Sequence, residues 1–482
     1  MPSLLDTLTD LWPEQGPLST GSGQRIALGV ATVVLASVPL AVGQAPITAL
    51  ARTVMLALLV AVAGLYLARS ETAVWGSFRD LLILSTLVVG VVYTTWGYAA
   101  LTPEVPGFVL PLPLAAVLGT LLLNPRVGVL LAVVSLGVGV LFGVLDGAYT
   151  VGMLLASAAG VTAMAAIRDR SRLISMGGLF VAVTAAAAIG TAIVEGGTTG
   201  QALRAGGLGL LGGTLTVVLM LGLLPVFEAI FGVTTDVRLL ELASPAAPLL
   251  RRLMVEAPGT YTHSIMTGNL AESAAEAIDA NPLLARVGAY YHDIGKIRRP
   301  GFFVENQAGV GNPHDNTSPS MSALIITAHV REGVELAEEY RLPREIVDVV
   351  RQHHGTSMVS YFYNKAAACG GPVYEADYRY TGELPTSREA ALVMLADSAE
   401  AAVRACTKPT PPRIDEVVRK VVSGKLADHQ LDNAELTLAD VERVTVVYST
   451  MLASVYHPRI EYPEVIAGRD RNASQRYQPS RD

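Results

Sequence analysis

The segment AYYHDIGKIRRP, residues 289–300, sets His292 beside Asp293 and follows them with a glycine, Lys296 and the pair Arg298-Arg299. Apolar and aromatic residues lead into it at helical spacing, so the imidazole and the carboxylate fall at a helix end. A polar, solvated turn would account for these twelve residues alone. A metal site next to a cluster of positive charge would account for them as well. The rest of the chain decides.

From residue 249 onward the apolar residues keep a helical period. GNLAESAAEAIDA (268–280) reads as a helix stopped by Asn281-Pro282, and PLLARVGAYYHDIGK (282–296) as a second one opened by proline. SPSMSALIITAHVREGVELAEEYRL (318–342) is a third, and PREIVDVVRQHHG (343–355), closed by Gly355, is a fourth. After a looser stretch, TSREAALVMLADSAEAAVRA (386–405) starts at a Ser/Thr cap, and two more helices follow near 412–427 and 437–456. No alternating strand pattern of any length is visible. This half is predicted all-α, with a polar tail beyond Ala467 expected to be disordered.

The front half has a different composition. Residues 1–231 hold 9 Arg, no Lys and 10 Asp+Glu, which leaves 26 Lys+Arg and 32 Asp+Glu for residues 232–482. All eight histidines lie beyond residue 260, and the first lysine is Lys296. Apolar runs near the length needed to cross a bilayer cover 25–43, 47–68, 80–99, 108–123, 127–146, 148–167, 172–194 and 206–231. The chain is therefore expected to comprise a tail (1–24), a membrane bundle of about eight spans (25–231), a helical domain (232–467) and a final tail (468–482). The first run is followed at once by others and shows no convincing cleavage site, so it reads as a span and not a signal peptide.

Arg69, Arg79, Arg126, Arg168, Arg170 and Arg172 occupy alternate loops, while Glu104, Asp146 and Glu195 occupy the others. Positive loops favour the cytoplasm, which puts both termini and the helical domain on that side of the cell membrane. Interior charge is nearly absent from the spans, which argues against a transport route. Small residues, as in AGGLGLLGGTLT (205–216), suit close helix packing and offer faces for a homo-oligomer. Neither half carries the basic excess of a binder of nucleic-acid polymers. Cys369 and Cys406, the two cysteines, suggest no disulfide framework.

Ligand-type residues fall one set to a helix. His263 precedes the first helix and His292-Asp293 ends the second. His329 lies inside the third, His353-His354 ends the fourth, and Asp397 lies in the middle of the fifth. A lone helical histidine is more often a hydrogen-bonded core residue than a ligand, and a His-His doublet at a helix end is commonly solvated. Asp397 within VMLADSAEA resists that reading, because a carboxylate among apolar neighbours is costly unless paired or metal-bound. Inward-facing His and carboxylate from several helices build metal cores in bundles. Five imidazoles and two carboxylates suit Fe, Mn or Zn and not Ca, and seven donors fit a pair of ions sharing a carboxylate.

The order His, His-Asp, His, His-His, Asp resembles the HD-domain phosphohydrolases, and HDIGK is the hallmark of their HDIG subgroup. EAPGTYTHS (256–264), GAYYHDIGKIRRPGFFVENQ (288–307), NPHD (312–315), QHHGT (352–356) and SREAALVMLADSAEAAVR (387–404) resemble the seven-transmembrane HD family, the PgpH-type cyclic-di-AMP phosphodiesterases. The resemblance covers 233–465 and reaches into the membrane half at LLPVFEAIFGVTTDVRLLEL (223–242). It implies two ions, iron or manganese, with His263, His292 and Asp397 on one. His329, His353 and His354 would hold the other, and Asp293 would bridge them. Water activated between the ions would attack phosphorus in line with the departing 3′-oxygen. Lys296 would contact phosphate, with Arg299 adding to the grip, His314 touching substrate or a ligand, and Tyr361 of the YFY run stacking an adenine.

Familiar members carry a large extracytoplasmic domain after the first span, where this chain has only GQAPI (43–47), so any signal would act on the spans themselves. A cyclic-di-GMP hydrolase of the same superfamily is the alternative enzyme. HHGTSMVSYFY (353–363) lacks the Gly-Tyr-Pro motif that such enzymes carry after the His-His pair. A non-catalytic nucleotide receptor is the alternative from another class, and the intact ligand set argues against it.

Overall fold

The computed structural model describes residues 21–101, 107–165, 170–307, 311–369 and 372–456. The terminal tails, Glu104, Arg168 and His457 lie outside the described residues. Among the described residues the chain is all-α, with one isolated bridge, Met358 to Arg379, and no strand.

Among the described residues, six helices are long and apolar enough to cross a membrane. They are α1 (Ser22–Ala41), α2 (Pro46–Ser70), α4 (Phe78–Leu101), α7 (Gly147–Ala165), α8 (Arg170–Val194) and α9 (Thr199–Phe231). The short α3 (Thr72–Gly76) sits between α2 and α4. The fourth and fifth expected spans differ from the prediction. Residues 108–123 form a 3-10 turn, Gly107–Val109, and then the ten-residue α5 (Pro113–Leu122). Residues 127–146 give α6 (Pro125–Leu141), which stops before Gly143 at φ +70°. Pro111 and Pro113 withhold the amides a continuous helix needs. At about 1.5 Å per residue, α5 reaches only about half of the bilayer core. The segment before it is buried in the bundle, with Phe108 so close to Gly212 of α9 that a Cβ there would meet the Phe108 carbonyl.

The small residues of α9 work within the chain. Gly206, Gly209 and Gly213 face Ile189, Ala185 and Val181 of α8, and a Cβ on Gly209 would stand 2.9 Å from the Ala185 backbone. Several loops converge at one end of the bundle. Glu71 pairs with Arg126 (3.3 Å) and accepts from Asn124 (3.0 Å), while Arg79 donates to the Gly232 carbonyl (3.2 Å) just past α9.

The chain leaves that end through α10 (Asp236–Leu242) and α11 (Pro248–Glu256). Next come α12 (Pro258–Ala277), α13 (Pro282–Tyr291), α14 (Pro319–Glu339) and α15 (Arg344–Gln352). They are followed by α16 (Ser360–Ala368), α17 (Arg388–Arg404), α18 (Pro411–Ala427) and α19 (Leu438–Val455). Helix α17 is the axis of this part: Leu392 to Ala396 are fully buried, ringed by apolar residues of α12, α13, α18 and α19. A second core joins α10 and α11 to α13, α14 and α15, and the Tyr291 hydroxyl fastens it by donating to the Leu242 carbonyl (2.9 Å). Helix α16 occupies the stretch that periodicity left unassigned.

Candidate metal centre

His263 lies inside α12, not before it. The helix starts at Pro258 because proline fits its first turn and Gly259 rests against the Glu305 backbone, where a Cβ would collide. Gly-Thr-Tyr-Thr is a poor helix-forming run, so periodicity alone starts the helix at Gly268. His292 caps α13, and Asp293 enters a 3-10 turn, Ile294–Arg298. Gly295 lets that turn press on α14: a Cβ there would run into the His329 carbonyl and stand 2.6 Å from the Gly333 nitrogen. That approach sets Asp293 beside His329. His353 caps α15, and Asp397 projects from the buried run of α17.

The two oxygens of Asp293 face two sets of donors. Oδ2 lies 3.2 Å from His292 Nε2 and 3.7 Å from His263 Nε2. Oδ1 lies 3.3 Å from His329 Nε2 and 3.7 Å from His353 Nε2. Asp397 approaches His263 (3.0 Å), His292 (3.8 Å) and, through its other oxygen, His354 (3.8 Å). Two groups thus form, His263-His292-Asp397 and Asp293-His329-His353-His354, with the donor atoms of each within 4.8 Å of one another.

The tautomers are set by partners. His292, His329 and His353 each donate Nδ1–H to a carbonyl three residues back, at 2.7, 2.5 and 2.7 Å. Their Nε2 atoms therefore point inward, as lone pairs on His329 and His353 and, once its proton leaves, on His292. The Nε2 atoms of His329 and His353 face each other at 3.2 Å, an arrangement that a cation between them would satisfy. His292 Nε2 and both Asp293 oxygens are buried without a hydrogen bond of good geometry. Such atoms are costly in a core unless something coordinates them. The donor set therefore fits metal.

Electrostatics divide the cluster the same way. Burial alone would raise the Asp293 carboxyl, but His292 and Lys296 override it and hold it well below the carboxylate range. Burial likewise opposes ionisation of Asp397, and His263 and His292 hold it well below its ordinary value. Against the pull of burial, the facing carboxylates push His292 up to about 10 and raise His263. His329, His353 and His354 move the other way. Burial dominates there, and neighbouring cationic and imidazole groups add to it, with His353 lowered to about 3.

The expected substrate residues are dispersed. Lys296 is wedged between Asp293 Oδ2 (2.7 Å) and Glu305 Oε1 (2.9 Å). Arg299 pairs with Glu332 (3.0 Å) on the half-exposed surface, and Arg298 lies 4.0 Å from Glu339. His314 is buried, its Nε2 on the Phe302 carbonyl (3.0 Å) and its ring against Phe302 and Phe362. Tyr361 is exposed, whereas Phe362 beside it is core.

Four residues escaped the sequence reading. Glu400 accepts from His263 Nδ1 at 2.7 Å and so aims that ring. Its position three residues after Asp397, on the same face of one helix, was the available signal. Glu305 holds Lys296, and Tyr380 stacks on His354 with ring centroids 4.2 Å apart. Lys425 donates to Ser357 (2.7 Å) in a polar cavity of about 680 Å³ that Arg379, Lys420 and Ser398 also line.

A cluster of His and Asp from five helices that could hold metal, in a chain whose front part has six helices long and apolar enough to cross a membrane among the described residues, defines a helical domain of the HD class behind a multi-pass bundle. Residues 260–402 match the HD domain family, and residues 46–235 match the family described as a 7TM receptor with intracellular HD hydrolase. The chain belongs to that seven-transmembrane HD family. It is 40% identical over 370 residues to the cyclic-di-AMP phosphodiesterase PgpH of Bacillus subtilis, a match covering 74% of this chain and 52% of the relative. It is 44% identical over 262 residues to PgpH of Listeria monocytogenes, covering 54% of this chain and 36% of the relative. The chain thus spans about half the length, or less, of these relatives. A crystal structure of the L. monocytogenes PgpH HD domain in complex with cyclic-di-AMP aligns with 44% of this chain and 100% of that one, at 43% identity and a TM-score of 0.43.

Proposed function

We propose that this chain is a membrane-bound, metal-dependent phosphodiesterase that hydrolyses a cyclic dinucleotide, converting cyclic di-AMP to linear pApA. The observation that carries the reading is the Asp293 carboxylate, whose two oxygens face separate donor groups. The names of relatives 40% and 44% identical support the substrate. His263, His292 and Asp397 would hold one divalent ion and His329, His353 and His354 a second, with the Asp293 carboxylate available to both; iron or manganese suits this donor set. When bound, the pair supplies an activated water and neutralises charge on the attacking and leaving oxygens.

The chain's own residues do the positioning. Backbone carbonyls and Glu400 fix the imidazoles, which removes the cost of orienting them when substrate arrives. Lys296, held by two carboxylates, keeps an ammonium next to the cluster where a phosphate would sit. Arg299 adds positive charge at the rim, the exposed Tyr361 ring is available for an adenine, and His314 braces the wall between Phe302 and Phe362. Residues 25–231 form the membrane region and 232–467 the catalytic domain, with that domain and both termini cytoplasmic. The arginine-bearing loops support this orientation, since Arg126 and Arg79 meet partners at the end from which the catalytic domain continues.

The test is turnover by the purified full chain, loaded with iron or manganese, on cyclic di-AMP, cyclic di-GMP and pApA. Conversion of cyclic di-AMP to pApA is expected, with about two ions per chain bound by the seven donors. Turnover of cyclic di-GMP alone would move the substrate. Binding of cyclic di-AMP without product would make the protein a receptor.

A further inference from the structure

The polar cavity of about 680 Å³ at Lys425 lies between α17, α18 and the loop that leads from His354 to α16. Its size falls within the range of small-molecule sites, roughly 300–1,000 Å³. Four cations line it, Arg379, Arg413, Lys420 and Lys425, against two carboxylates, Asp428 and Glu416, in a chain of net charge −7. Both carboxylates are already taken. Asp428 pairs with Arg379 (2.8 Å) and Glu416 with Arg413 (2.7 Å). Among the described residues no carboxylate forms an ion pair with Lys420 or Lys425. The partly buried Lys425 ammonium donates to Ser357 Oγ (2.7 Å), so ammonium and hydroxyl both keep hydrogens for a further acceptor. Burial pushes this ammonium down, against the pull of Asp397 and Asp428, and an anion beside it would favour the charged form.

The donors are held in place in advance. The Thr356 N–H donates to Gln430 (2.9 Å), the Thr356 carbonyl accepts from Arg379 (2.8 Å), and Gly355, at φ +54°, lies against Gln430. The cavity also adjoins the metal centre. Ser398 in its wall directly follows Asp397, and Tyr380, stacked on His354, donates its N–H to the Ser357 carbonyl (3.0 Å). A cyclic dinucleotide carries two phosphodiesters, each with a negative charge. The ions and Lys296 account for the one that is cleaved, and Lys296 is already held between Asp293 and Glu305. The other phosphate needs a cation of its own.

We propose that Lys425 and Ser357 bind the uncleaved phosphate of the cyclic dinucleotide in this cavity, with the exposed Lys420 adding positive charge at its rim. The inference rests on the substrate reading given above. Lys425 then touches substrate away from the reacting atoms, and its contact is the same in the ground and transition states. Losing it should raise KM and spare kcat. The test compares two substrates on the full chain loaded with manganese: cyclic di-AMP, and bis(p-nitrophenyl) phosphate, which has a single phosphodiester. Lys425→Met keeps the apolar stem and removes the charge. It should raise KM for cyclic di-AMP by about 10- to 100-fold, the loss of one charge-assisted contact. Its kcat/KM for bis(p-nitrophenyl) phosphate should stay at the wild-type value. Lys425→Arg should restore most of the affinity, and Ser357→Ala should raise KM about threefold, as for one neutral hydrogen bond. Arg419→Ala removes the same charge from α18 outside the cavity, where Arg419 pairs with Asp415, and should leave KM unchanged. A wild-type KM for cyclic di-AMP in Lys425→Met, or an equal loss of kcat/KM on both substrates, would overturn the proposal. If wild type turns over no cyclic di-AMP, the substrate reading fails separately, and equilibrium binding of cyclic di-AMP to the chelator-treated full chain decides. Binding that Lys425→Met weakens about tenfold upholds the phosphate site. Binding that the variant leaves unchanged, or no binding at all, overturns it.

Discussion

Glu400 offers the sharpest test of how the centre is assembled. Its Oε2 accepts from His263 Nδ1 at 2.7 Å with both side chains buried, its Oε1 accepts from the Tyr456 hydroxyl (2.8 Å), and Arg404 lies 3.6 Å away. Burial would raise this carboxyl, but His263 and Arg404 hold it below the usual range, so it is charged at neutral pH. Glu400→Ala removes a charge-assisted hydrogen bond worth about 1.5–3 kcal/mol. The loss corresponds to roughly 10- to 150-fold weaker binding of the ion that His263 would hold. Glu400→Gln keeps one acceptor but loses the charge, which accounts for about half of that energy, so a fall on the order of tenfold is expected. Arg404 and Tyr456 lose a partner as well, so thermal unfolding of each variant separates metal loss from misfolding. The assay is stepwise removal of metal by a chelator. One ion should leave early, and the ion at His329, His353 and His354 should leave at wild-type chelator concentration. If the folded Glu400→Ala protein released both ions at wild-type concentration, Glu400 would have no part in fixing the ligand geometry.

The other expectations concern the centre's anion, its glycine and its protons. Asp293→Ala should lose metal and all hydrolysis, whereas Lys296→Ala should keep its metal and lose on the order of 1.5–3 kcal/mol in substrate handling; metal analysis beside kcat/KM distinguishes them. Gly295→Ala puts a methyl into the His329 carbonyl, so a loss of at least about 1–3 kcal/mol in stability is expected from denaturant melts, together with lowered metal content. His292 and His263 have raised pKa values, so they carry protons below those values and must release them to ligate; His329, His353 and His354 are lowered and already neutral at pH 7. Metal binding should therefore tighten as pH rises from 6 to 8 and should release about one to two protons, which calorimetry in buffers of different ionisation enthalpy would count. All of that release should belong to the ion of His263, His292 and Asp397, and a pH-independent affinity would contradict the assignment.

Asp397 was legible because a carboxylate among Leu395, Ala396 and other buried residues of α17 has few explanations, and the structure puts His263 3.0 Å from it. His329 and the His353-His354 pair were legible only as members of a set, since each alone reads as an ordinary helical or solvated histidine. Glu305, Tyr380 and Lys425 were not legible at all. Glu305 and Tyr380 reach the centre through a 3-10 segment and an irregular loop, Lys425 comes to Ser357 from a distant helix, and no periodicity encodes such approaches. The membrane half shows the complementary limit. The eight apolar runs read as spans become, among the described residues, six helices long and apolar enough to cross a membrane and two shorter ones, since Pro111 and Pro113 delay the start of α5 and α6 ends at Leu141. The Phe108 segment that precedes α5 is tolerated inside the bundle because α9 offers Gly212 against it.

The same contacts that orient the bundle also give it a mechanical path to the centre. Arg79, two residues past the loop that follows Trp75 and α3, holds the carbonyl of Gly232 at the end of α9. Two residues on, the Thr234 hydroxyl donates to Glu345 in the first turn of α15, and α15 ends at His353. Thr235 likewise bonds to Glu228 of α9, so the linker is fastened on both sides. A shift at the Trp75 end of the bundle would have to be absorbed somewhere along Arg79, Gly232, Thr234 and α15. Helix α15 carries two imidazoles of one donor group at its far end, so the last span of the bundle is joined to that group by one linker and one helix.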